Sequence, residues 1–223
     1  MGATHETLLA AVFEERNRIM SRRGLLTGAL KLGVGGAAAV AVAGSPSLGR
    51  FSALAATSDF KDDVDVLNYA LTLEYLETAF YRDGVGMFNF GNDAFGKSIS
   101  SRLMEIRDHE EAHVDTLTKV ITSLKGTPVS EGTYDFGYGN DMKKFLGSAA
   151  ALENTGVSAY DGAGQYLKNP DLLTAAGGIV SVEARHASYL NLITGAVPFP
   201  AAFEQAKSKA EILKIAGPFV KSM

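Results

Sequence analysis

Two Glu-x-x-His pairs stand out in the 223-residue chain, Glu110 with His113 and Glu183 with His186. On a helix, residues three apart project from one face about one turn apart, so each pair can present a carboxylate and an imidazole to the same point. Three histidines lie beyond residue 56, and two of them have a glutamate three positions earlier. Carboxylate with imidazole is a ligand combination for divalent transition metals. The chain has no cysteine, which excludes thiolate zinc sites, iron–sulfur centres, disulfide frameworks and cysteine nucleophiles. Any metal must therefore sit on Glu, Asp and His.

The elements that position these pairs follow from the turn chemistry. Breaks fall at Gly84 to Gly96, at Gly126 to Gly139 and at Asn169-Pro170, leaving four segments. Each has inward positions at a 3-4 spacing. The second runs Ile99, Leu103, Ile106, Glu110, His113, Leu117, Val120, Leu124, and the fourth Leu172, Ala176, Ile179, Glu183, His186, Leu190, Ile193. The third runs Met142, Leu146, Ala149, Glu153, Gly156, Tyr160, Ala163, Leu167, and the first Leu67, Ala70, Glu74, Glu77, Tyr81, with Val64 and Leu71 on the adjacent line. Every stripe is interrupted mid-length by acid, or by acid plus histidine. Burying a lone carboxylate costs several kcal/mol or more, so four interruptions in one bundle need a shared compensation. Two divalent cations would provide it.

An internal repeat supports this arrangement. Sliding the chain by 79 aligns Leu67, Ala70, Leu73, Glu74 and Tyr81 with Leu146, Ala149, Leu152, Glu153 and Tyr160. A slide of 73 aligns Ile106, Glu110, His113 and Leu117 with Ile179, Glu183, His186 and Leu190. The expected fold is all-α, a four-helix bundle of two helical hairpins. The stretch from Gly126 to Asn140, at about 3.3 Å per residue, is long enough to run the height of such a bundle as a crossover.

On these residues the chain resembles the ferritin-like superfamily, and within it the group that includes plant desiccation-related proteins and bacterial exported ferritin-like proteins. The matching stretches are Leu73-Glu74-Tyr75-Leu76-Glu77, Glu110-Glu111-Ala112-His113, Leu152-Glu153 and Glu183-Ala184-Arg185-His186, within roughly Asp59 to Gly195. A Glu from each of two helices with a Glu-x-x-His from each of the other two is the ligand set of the di-metal carboxylate bundles. The resemblance implies Glu74, Glu110, His113, Glu153, Glu183 and His186 as ligands to two iron ions, or to manganese. The expected activity is oxidation of Fe(II) or removal of peroxide, with dioxygen or hydrogen peroxide as reactant. The alternative is a stress- or desiccation-protective structural protein whose metal site does not turn over, because one fold hosts many functions.

Further residues have two readings each. Glu77, one turn beyond Glu74, is either an additional carboxylate at the rim of the site or a solvent-facing helix residue. Tyr81 and Tyr160 lie seven residues beyond their glutamates, where they can hydrogen-bond a ligand or simply fill the core. His109-Glu110-Glu111-Ala112-His113 also satisfies H-E-x-x-H, the zinc peptidase motif. His109, however, falls on the polar line of its helix with Arg102, Glu105 and Thr116, as a solvated histidine would. The glycine and third histidine of the extended motif are replaced by Thr116 and Lys119.

Residues 1–56 read as an address and 57–223 as the bundle domain. The leader carries six basic and three acidic residues, against 15 basic and 22 acidic in the remainder. Arg22-Arg23, a weakly apolar Gly- and Ala-rich run to Gly44, and Ala53-Leu54-Ala55 resemble a twin-arginine signal, cleaved or kept as an anchor. The expected route is the twin-arginine translocase, to the periplasm, the cell envelope or the exterior. A net charge of −4 and a pI near 5.6 argue against a nucleic-acid surface, and a homo-oligomer is compatible with the pattern. Past Gly195, a short helix is expected over Glu204 to Ile215, closing one end of the bundle. The aromatic loop with Tyr134, Phe136 and Tyr138 covers either a flank or a partner surface.

Overall fold

The computed structural model describes residues 59–222; the expected signal segment and its boundary at residue 56 lie outside the described residues. Four long helices form where the stripes place them: α1 (Asp63–Gly84), α2 (Ile99–Ser123), α3 (Met142–Gly164) and α4 (Pro170–Ile193). Each starts on a side-chain cap, from Asp62, Ser98, Asp141 and Asn169 respectively, which satisfies amide groups that the first turn leaves without a partner. Pro170 follows the Asn169 cap as the first helical residue of α4, where its missing N–H costs nothing.

Helix α1 packs on α2 and α3 on α4, and the two hairpins meet chiefly along α1 and α3. This is the expected all-α bundle of two hairpins. Polar clamps hold the connections to it. Asp63 accepts from the amides of Lys168 (2.8 Å) and Asn169 (3.0 Å), tying the start of α1 to the α3–α4 turn. Asn68 accepts from the Val129 amide (2.8 Å) and donates to the Thr127 carbonyl (3.1 Å), fixing the crossover against α1.

The structure departs from the single-stripe expectation in α1. Besides the stripe and Leu71 beside it, the helix buries Tyr69, Leu73, Leu76, Ala79 and Phe80, because α2, α3 and the crossover cover it on several sides. In α3, Phe145 is fully buried while Met142 and Leu146 are only partly so. The Phe145 ring stacks on Phe80 (centroids 4.6 Å apart), and Phe136 and Tyr138 of the crossover meet Phe80 edge-on. The aromatic loop thus covers a flank.

The C-terminal helix α5 (Lys209–Ala216) begins later than expected, because Ser208 and Glu211 form a reciprocal capping box that sets its first turn. It packs against α3. The segment leading to it crosses α3 at Gly162, where a Cβ would stand 1.8 Å from the Lys207 carbonyl oxygen. Beyond α5, the tail pairs as β2 (Val220–Ser222) with β1 (Thr133–Tyr134) of the crossover, antiparallel. Among the described residues no helix is long and apolar enough to cross a membrane.

Candidate metal centre

All six side chains singled out by spacing converge at mid-height of the bundle. Glu74 on α1, Glu110 on α2, Glu153 on α3 and Glu183 on α4 are each 0% exposed, and His113 and His186 are buried beside them. Helical spacing explains the convergence, since each Glu-x-x-His pair spans one turn of one inward face. Glu77 joins them: it is buried at 3% exposure, not solvent-facing. Opposite it stands Gly156, whose Cβ, if present, would lie 3.0 Å from Glu77 Oε1 and 3.5 Å from Glu183 Oε2. The absent side chain at 156 leaves the space that the fifth carboxylate occupies.

The ligand atoms form two overlapping groups. Glu74, Glu110, His113 and Glu183 make one; Glu110, Glu153, Glu183 and His186 make the other, with atoms inside each group no more than 4.8 Å apart. Glu110 and Glu183 belong to both. His113 Nδ1 lies 3.2 Å from Glu74 Oε2, 3.2 Å from Glu110 Oε2 and 3.0 Å from Glu183 Oε1. His186 Nδ1 lies 2.9 Å from Glu110 Oε1 and 3.2 Å from Glu153 Oε2, off the line that a hydrogen bond needs.

Several of these atoms are buried with no hydrogen-bond partner: Glu110 Oε1, Glu153 Oε2, both oxygens of Glu183 and His186 Nδ1. Orphaned acceptors on this scale are costly unless something electropositive meets them. Among the described residues, no lysine or arginine forms an ion pair with the cluster. Hard carboxylate oxygens with two imidazole nitrogens could hold a divalent metal ion.

The two tyrosines tie the hairpins together at this level. Tyr81 on α1 donates to Glu153 Oε1 on α3 (2.6 Å), and Tyr160 on α3 donates to Glu74 Oε1 on α1. Each hydrogen bond uses one oxygen and leaves the other, Glu153 Oε2 or Glu74 Oε2, directed at a histidine. Burial first, then the adjoining glutamates, pushes both phenols well above their ordinary range, so they stay protonated and act as donors.

The carboxylates strain against one another. Burial, then repulsion from Glu153, pushes Glu110 up to about 7, even though the adjoining His113 and His186 pull the other way. Glu77 and Glu183 are raised well above the usual carboxylate range, by burial and then by the surrounding glutamates. Burial disfavours charge on the histidines, yet the adjoining carboxylates outweigh it, lifting His113 to about 12 and His186 to about 10. The pocket demands positive charge, and protons on histidine supply only part of it.

His109 makes a contact that the sequence did not show. It is exposed, as its polar helix line implies, but its Nδ1 lies 2.9 Å from His186 Nε2 across the gap between α2 and α4. It belongs to neither ligand group, so the two histidines of the H-E-x-x-H match do not share a metal position. A helix wheel treats the polar side of α2 as solvent and carries no signal for the facing α4.

Comparison with known proteins agrees with the fold. The ferritin-like domain family matches residues 62–196. A solved structure of a conserved hypothetical protein, rv2844, from Mycobacterium tuberculosis is similar with a TM-score of 0.50 and 18% identity, covering 62% of this chain and 94% of that one. Among curated proteins, no sequence matches.

Proposed function

The chain belongs to the ferritin-like domain family, and from that premise we propose that its buried Glu/His cluster is a di-metal carboxylate centre that oxidises Fe(II) or removes peroxide. The observation that supports this most is the pair of overlapping ligand groups sharing Glu110 and Glu183. Glu74 and His113 would hold one ion and Glu153 and His186 the other, with Glu110 and Glu183 common to both. Iron or manganese bound there would supply the one-electron steps needed to reduce dioxygen or hydrogen peroxide.

The chain's own contribution is positioning and electrostatics. Tyr81 and Tyr160 hold one oxygen of Glu153 and of Glu74, fixing which oxygen faces inward. The glutamates and histidines stand on four packed helices, so the geometry is set by folding before any ion arrives. Complete burial of the four shared and terminal glutamates keeps bulk water from competing for the ligand oxygens.

Metal analysis and an oxygen- or peroxide-consumption assay on one preparation test the reading. Two ions per chain with turnover support it. Bound metal without turnover would instead favour the stress-protective structural role. We further propose that Arg22 and Arg23 direct export through the twin-arginine route. Changing both to Lys should retain the protein in the cytoplasm, and unchanged export of that variant would remove this part of the proposal.

A further inference from the structure

The internal repeat that matches the ligand residues breaks down at His109, immediately beside them. The slide of 73 that superposes Glu110 on Glu183 and His113 on His186 puts His109 opposite Val182. The consequence is structural: His186 Nε2 has the His109 ring at 2.9 Å. His113, among the described residues, has its hydrogen-bond partners at Nδ1 alone.

The His109 and His186 rings are inclined by 10° with centroids 5.2 Å apart. Coplanar imidazoles meeting nitrogen to nitrogen have this separation, whereas rings lying face to face would approach more closely. The contact is therefore an in-plane hydrogen bond. Such a bond needs one ring nitrogen to donate and the other to accept.

We propose that His109 is a positioning residue for His186, locking it in the tautomer whose Nδ1 lone pair faces the ligand group and so making the two metal positions unequal. This rests on the di-metal reading above. For His186 Nδ1 to bind a cation it must carry no proton, so the ring's proton sits on Nε2. Nε2–H then donates to His109 Nδ1, which must be bare, and the His109 proton sits on its own Nε2. A single proton arrangement satisfies both rings and frees the inward nitrogen. Among the described residues His113 has no such partner at its other nitrogen. A partner of this kind is worth about 10- to 100-fold in metal affinity.

The test uses the full chain, 15N-labelled and titrated with Zn(II), which is diamagnetic and redox-silent. Long-range 1H–15N spectra report which nitrogen of each histidine carries the proton, and the titration reports the affinity of each position. Wild-type protein should bind two Zn(II) ions, with His186 metallated at Nδ1 and its Nε2–H protected from exchange. H109L keeps bulk but offers no acceptor. It should weaken one position by about tenfold, expose the His186 Nε2–H to exchange, and leave the His113 signals unchanged. H109N, whose Oδ1 stands near the place of the histidine Nδ1, should recover most of the loss. Two undisturbed affinities with a protected Nε2–H in H109L would overturn the proposal, as would equal weakening at both positions. Those results leave the di-metal reading intact, whereas failure of the wild type to bind two ions would overturn both.

Discussion

The α1–α2 hairpin and the α3–α4 hairpin contribute equivalent candidate ligands but unequal surroundings. Each offers a lone glutamate, a Glu-x-x-His pair and a tyrosine that reaches across to the other hairpin's glutamate. Among the differences between them, two touch the cluster: Glu77 against Gly156 and His109 against Val182. In both cases the first hairpin carries the polar residue. Those two residues add a fifth buried carboxylate and a hydrogen bond on the far side of His186. A duplicated scaffold fixes where two ions would sit, and single departures from the repeat decide how different the two positions are.

The largest expected effect falls on what the hairpins share. Chelation should lower the melting temperature, and Fe(II) or Mn(II) should restore it by mass action. Each ion at a hundred times its Kd adds about 2.7 kcal/mol, or roughly 5–10 °C for a domain of this size. The chelated protein should also lose stability with rising pH. Glu110 keeps its proton in the fold up to about 7 against an ordinary 4.5, so the folded state holds more protons than the unfolded one across that window. The raised histidines extend the decline above 6.5, towards about 10 for His186 and about 12 for His113. Thermal melts between pH 5 and 9, with and without chelator, check both effects. A chelated form that melts as high as the loaded one would argue that the carboxylates do not repel.

A smaller effect should separate the hairpins. E77Q keeps the shape and removes one ionisable group whose burial is unfavourable, so the chelated variant should melt a few degrees above the chelated wild type at pH 7. Destabilisation instead would mean that the Glu77 charge has a partner that compensates it. The smallest expected difference is between the two tyrosines. Y81F and Y160F each remove one hydrogen bond to a carboxylate, worth about 1.5–3 kcal/mol, and matched denaturant midpoints would support the two-fold equivalence of Glu74 and Glu153.

Much of this was legible in the residues because helical periodicity and cap chemistry are local. The turns at Gly84, Gly126 and Asn169-Pro170 bounded the helices, and four stripes interrupted by acid or by acid and histidine pointed to one depth in the bundle. The misses are contacts between elements far apart in sequence. Pairing of Thr133–Tyr134 with Val220–Ser222 leaves no pattern in either two- or three-residue stretch. The several buried faces of α1 depend on the crossover lying over it. The His109 contact depends on α4 standing beside the polar side of α2. The start of α5 is different, since Ser208-x-x-Glu211 is a capping box visible in the sequence.

The central claim is that two ligand groups share Glu110 and Glu183. Mn(II) stoichiometry by equilibrium dialysis on wild type, E153A and E183A tests it most directly. The account predicts two ions per chain in the wild type, loss of the dinuclear state in E153A, and loss of both ions in E183A, because Glu183 serves both groups whereas Glu153 serves one. Two ions retained in E183A, or fewer than two in the wild type, would contradict it.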